Sequence, residues 1–187
     1  MSRLSYFARH PKRTLGSLAA VMLASAITVG SSASFTATSA NPSNTFAAGS
    51  LAITNSKEGL AVLTASNMKP GDAATTGIVD IQNSGTLAGD FTLSTSAITN
   101  SDAVYPLTSQ LDLVVKDCGD FASGTPTCDA GDPEVYGGTV DGVGTEALGS
   151  FDADEQHRYQ FSVQLNSSAG DDYQSGDASV QFDWNAS

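Results

Sequence analysis

Basic residues are scarce in this chain: 8 Lys and Arg stand against 20 Asp and Glu in 187 residues, a formal charge of −12. A protein that neutralises phosphates needs clustered Lys and Arg, so the balance argues against a nucleic-acid partner. It argues equally against docking of the mature chain on an anionic membrane surface. Histidine is scarcer still, with only His10 and His157. Two histidines leave little for a Ser-His-Asp triad or a His-rich zinc site, and no H-E-x-x-H, G-x-S-x-G or G-x-x-x-x-G-K motif occurs. No catalytic, cofactor-binding or metal-ligating residue is therefore expected. Charged residues make up only 15%, under the usual quarter. The polar surface must then come from Ser, Thr, Asn, Gln and Gly, which suit exposed strands and turns. Apolar residues are not lacking: 40% are hydrophobic, including 8 Phe, 5 Tyr and 1 Trp, enough to pack a core.

The few bases are unevenly placed. Arg3, Arg9, Lys12 and Arg13 fall in the first thirteen residues, and the first acid is Glu58. From Leu15 to Gly30 the chain runs sixteen residues without a charge. A basic start, an apolar run and small residues after it describe a secretory leader. A membrane-spanning helix needs about 20 apolar residues, and this run is shorter and holds Gly and Ser. Lys12-Arg13 is not the arginine pair of twin-arginine export. The expected organisation is a signal peptide over residues 1–34 and one domain over 35–187. Cleavage is expected around Ala33, Ser34 and Phe35. It would leave four basic residues, Lys57, Lys69, Lys116 and Arg158, against all 20 acids, a formal charge of 4 − 20 = −16. The mature protein is expected to be secreted, extracellular or at the cell surface.

Export also bears on the two cysteines, Cys118 and Cys128. In an oxidising compartment a lone pair at this spacing is expected to form one disulfide closing a short loop. Metal ligation is the weaker reading, since no further Cys or nearby His completes a tetrahedral set.

Period-two alternation dominates the rest. Tyr159, Phe161, Val163 and Leu165 share one strand face, and Val180, Phe182 and Trp184 share another. Leu111, Leu113 and Val115 form a third set, and Phe91, Leu93 and Thr95 a fourth. Shorter strands are expected at Leu51–Thr54, Ala61–Thr64, Thr76–Gln82 and Glu134–Val140. Turn signals such as Lys69-Pro70-Gly71-Asp72 and Asn83-Ser84-Gly85 separate them. The pattern predicts an all-β fold, a single antiparallel jelly roll or β-sandwich.

His157 reads as a solvated residue at a strand end. Asp117, Asp120, Asp129, Asp132 and Glu134 surround the cysteine loop, Asp152, Asp154 and Glu155 precede a strand, and Asp171 and Asp172 occupy a turn. None has EF-hand spacing. Oxygen-rich loops leave room for weak Ca2+ binding, but solvated acidic loops are the simpler reading. No cofactor is expected, and no particular carboxylate pair suggests glycoside hydrolysis.

Several stretches taken in order carry a resemblance. They are Asn44–Ile53 (NTFAAGSLAI), Asn67–Asp72 (NMKPGD), Gln82–Leu87 (QNSGTL), Tyr159–Leu165 (YQFSVQL), Tyr173-Gln174 and Val180–Trp184 (VQFDW). In this sequence and position they resemble the TasA/camelysin family of secreted bacterial proteins. The resemblance implies a jelly-roll biofilm-matrix fibre subunit or cell-surface protein, its leader removed by a dedicated signal peptidase of the endoplasmic-reticulum type. It further implies a homopolymer built by β-strand addition, in which the freed N-terminus of one subunit completes a sheet of the next. The candidate donor strand is Ser34, Phe35, Thr36, Ala37, Thr38, Ser39 and Ala40. Pairing of this segment within its own subunit, or a free terminus, is the competing reading. Camelysin-type members have been classed as metalloproteases; no zinc-binding pair in this sequence supports that activity. The Cys118/Cys128 loop and the strong acidity depart from the best-known fibre subunits. A monomeric surface adhesion or binding module is the alternative function.

Overall fold

The computed structural model describes residues 47–187. The expected leader, the cleavage region Ala33–Phe35 and the candidate donor strand Ser34–Ala40 lie outside the described residues. Eight strands follow in chain order: β1 (Ile53–Asn55), β2 (Thr75–Asn83), β3 (Gly89–Asn100), β4 (Leu111–Asp120), β5 (Glu134–Thr139), β6 (Thr145–Phe151), β7 (Gln156–Leu165) and β8 (Ala178–Ala186). Among the described residues there is no α-helix, only three single turns of 3-10 helix. The fold is all-β, as the alternation predicts.

The strands form two antiparallel sheets, one of order β1-β2-β7-β4-β5 and one of order β6-β3-β8. The orders 2-7-4-5 and 6-3-8 are those of a jelly roll, in which the first strand of eight would stand beside β8. Here β1 pairs with β2 instead, over only Ile53–Asn55. Among the described residues the smaller sheet therefore ends at β8.

Alternation explains the core. Val79 and Ile81 of β2, Leu113 and Val115 of β4, and Tyr159, Phe161 and Val163 of β7 turn inward from the larger sheet. Phe91 and Leu93 of β3 and Phe151 of β6 meet them from the smaller one. Phe91 and Phe151 stack with ring centroids 4.3 Å apart, and Phe161 lies 4.7 Å from Phe182 of β8. Full burial of one such ring is worth roughly 1.5–3 kcal/mol, so these contacts, more than any polar pair, hold the sheets together. Asn83 is buried between them because its amide is fully engaged: Nδ2 donates to the carbonyls of Leu87 and Phe151, at 2.8 and 3.1 Å, and Oδ1 accepts from Gly85 N. The Asn-Ser-Gly turn is thus also a tie between β2 and the end of β6.

Two strand expectations need correction. Ala61–Thr64 is not a strand: after the turn that follows β1 it runs as an irregular strap with no ladder partner among the described residues. Its apolar residues Val62 and Leu63 are half-buried against the core side by side. Conversely, β6 was not expected. Its sequence TEALGSF holds a glycine, and Gly149 has φ of 101° where the β3–β6 register shifts. A bulge breaks period two, which hides such a strand from pattern reading.

Candidate functional site

Two regions of the sandwich stand out, at opposite extremes of polar bonding. The first lies where β4 ends and β7 begins. β4 carries Asp117, a register shift follows at Asp117/Gly119, and Gly119 then faces Arg158 and Asp120 faces His157. Cys118 sits in this bulge and is bridged to Cys128, with Cα atoms 4.7 Å apart. The loop between them is held by cations. Arg158 Nη1 donates to the Pro126 carbonyl at 3.1 Å, and its guanidinium lies 5.3 Å from the centroid of the Phe121 ring. The same guanidinium forks onto Asp80 of β2 through Nε and Nη2, at 2.7 and 2.9 Å. A bidentate fork of this kind fixes orientation as well as charge. Lys116 Nζ donates to the Ala130 carbonyl at 2.7 Å.

His157 is not the solvated strand-end residue expected from the sequence. Nδ1 lies 2.9 Å from Asp117 Oδ2, Nε2 lies 3.0 Å from Glu155 Oε1, and the ring stacks on Phe151 at 4.5 Å. The hydrogen bond to Asp117, then that to Glu155, outweighs desolvation and raises the pKa to about 9. The imidazole is a cation at neutral pH, donating from both nitrogens. Next to it, burial, then Asp117 and Glu155, push the Tyr159 phenol above its ordinary range. Tyr159 Oη and Trp184 Nε1 are buried without a hydrogen-bond partner among the described residues.

This arrangement bears on metal chemistry. A histidine ligand must offer a neutral nitrogen lone pair, whereas both nitrogens of His157 are committed to carboxylates. Both cysteines are committed to the bridge. Among the described residues no group of three His, Cys, Asp or Glu is placed to hold a metal ion. The donor set does not fit a zinc centre. Several acids noted in the sequence instead bond backbone amides locally: Asp120 Oδ1 accepts from Ala122 N, and Asp132 Oδ2 from Asp129 N. The structure brings Asp117 and Glu155 together at His157 but leaves Asp171 and Asp172 on a separate turn.

The second region is the open flank between β8 and β2. β8 pairs with β3 along one side. Its other side has no backbone hydrogen bond among the described residues. Two adjoining clefts run along this edge, of about 910 and 690 Å3. Val180 and Phe182 line both, and Trp184 the smaller; the opposite wall is the strap that follows β1. The sequence identified β8 as a strand with an apolar face but gave no means of seeing that it is an edge. That depends on where β1 goes.

The family model described as camelysin metallo-endopeptidase matches residues 10–104, just over half of the chain. The chain belongs to the camelysin family. The matched part includes β1, the strap, β2 and β3, while Asp117, His157 and both cysteines lie beyond it. Comparison with curated proteins finds no significant match. No helix among the described residues is long and apolar enough to cross a membrane.

Proposed function

We propose that this camelysin-family chain is a secreted structural protein, a subunit of extracellular or biofilm-matrix fibres that assemble by β-strand addition. The reading starts from a leader over residues 1–34, removed by a signal peptidase to free the N-terminus. The observation that carries it is the outer edge of β8, nine residues long and without a ladder partner among the described residues. Such an edge is a template for another strand. The jelly-roll order assigns that position to a strand antiparallel to β8.

The occupant we infer is the N-terminal segment of a second copy, the part of the expected donor strand that removal of residues 1–34 leaves, Phe35–Ala40. It carries no charge, which suits a body in which nearly every charge is negative. Head-to-tail addition of this kind is heterologous and propagates instead of closing. A proteolytic role is not part of this reading, because the donor set around His157 does not suit a metal.

The test is electron microscopy of the chain without its leader, with and without residues 35–40. Filaments formed by the first and not by the second are the expected result. Filaments that survive the deletion would remove the donor-strand mechanism. A strictly monomeric protein over a wide concentration range would favour the adhesion-module alternative.

A further inference from the structure

The strap Ala61–Met68 combines three properties. It is rich in apolar residues, it forms one wall of both clefts, and among the described residues its backbone makes no hydrogen bond. Eight consecutive residues without a backbone partner among the described residues are unusual in a packed domain, where backbone polar groups are nearly always paired. Yet the strap is not loose. Val62, Leu63 and Met68 pack on the core, and a Cβ on Gly77 of β2 would collide with the carbonyl oxygen of Val62 and with Leu63. Glycine at position 77 lets the strap lie directly on the inner face of β2. The strap thus covers the flank of the larger sheet that a strand beside β8 would otherwise cover, while bonding neither β2 nor β8.

We propose that the strap is a gate on the β8 edge. In the lone subunit it shields the apolar flank and impedes entry. An incoming extended strand shifts it away from Gly77, bonds β8 and takes over the contacts with Val180 and Phe182. This rests on the strand-addition reading and adds its regulation: assembly is slowed by the cost of moving Val62 and Leu63, so edge pairing waits for a strand that fits.

Assembly of residues 35–187, followed by light scattering and microscopy, tests the gate with two variants. Gly77→Ala pushes the strap off β2 and is expected to shorten the lag several-fold. The double variant Leu63→Cys/Gly77→Cys bolts the strap to β2. It is expected to slow assembly roughly tenfold or more, with reductant raising it to at least the rate of Gly77→Ala in the same reductant. Deletion of residues 35–40 runs alongside. If both variants assemble like the unmodified chain while the deletion abolishes assembly, the gate is wrong and strand addition stands. If the deletion changes nothing, both fall. Hydrogen exchange with a synthetic SFTATSA peptide gives a readout free of polymerisation, and decides the matter should the bolted variant misfold or the unmodified chain stay monomeric. The gate requires the peptide to protect β8 while altering exchange in Ala61–Met68, with stronger binding to Gly77→Ala. Protection of neither segment overturns both readings, and protection of β8 alone overturns the gate.

Discussion

The two ends of the sandwich differ in how they satisfy their polar groups. Around Cys118–Cys128, a disulfide, a forked Arg158–Asp80 pair and a doubly bonded His157 tie β2, β4, β7 and the β6–β7 turn together. Along β8, a nine-residue edge and an eight-residue strap face one another without a backbone hydrogen bond between them. The basic residues follow the same division. Lys116 and Arg158 are spent on the first region, and His157 joins them as a third cation. An acidic protein has few cations to distribute: two of its four Lys and Arg beyond residue 34 close the end where its acids crowd, while Lys57 lines the smaller cleft. The other flank is sealed by apolar contact alone, which a competing strand can replace at little net cost.

The contrast breaks most deeply at the bridge. Cys118→Ser with Cys128→Ser removes the constraint on a loop of sequence separation 10 and should cost about 2–3 kcal/mol, read as a lower denaturation midpoint. Exchange in the Phe121–Pro126 loop should rise, with little change along β8.

The next effect is a loss of stability in alkali. Because the pKa of His157 rises from 6.5 to about 9 on folding, its contribution is complete below pH 6.5 and is lost as pH rises through 9. At this half-buried site it should amount to on the order of 1–2 kcal/mol. Denaturation midpoints measured between pH 6 and 10 should fall in that window, and His157→Gln should flatten the fall. Arg158→Lys should come third, at about 1 kcal/mol. Lysine keeps the charge but cannot fork onto Asp80 while reaching Pro126. Its signature should be faster chymotryptic cleavage after Phe121.

The strands were legible where two faces differ in polarity. Tyr159-Phe161-Val163-Leu165 and Val180-Phe182-Trp184 could be read directly because each alternates against Gln, Ser and Asp. β6 was hidden by Gly149 and its bulge, and Ala61–Thr64 misled because half-burial of Val62 and Leu63 imitates a strand. The acids at 117 and 155 were visible as members of clusters. Their meeting at His157 was not, since it depends on the bulge in β4 and on the turn that swings Glu155 onto the ring. Edges are the least legible feature of all. Nothing local to β8 states that its outer side lacks a partner among the described residues; that follows from β1 pairing with β2 instead.

The smallest predicted effect separates the two regions most sharply. Val62→Ser on the strap removes apolar contact at a half-buried position and breaks no hydrogen bond or ion pair among the described residues. The cost to folding should be below about 1 kcal/mol, less than either the bridge or His157 variant. If the strap only seals the flank, nothing else should change. If it also gates β8, this mild variant should behave like Gly77→Ala, with a shorter assembly lag and stronger capture of the Ser34–Ala40 peptide. Loss of strap contact then destabilises the lone subunit more than the strand-added one, so a variant weaker in folding is quicker in assembly. A Val62→Ser protein that loses several kcal/mol would place the strap with the locked end, as part of the core. One that folds normally and assembles no faster would leave it a passive cover.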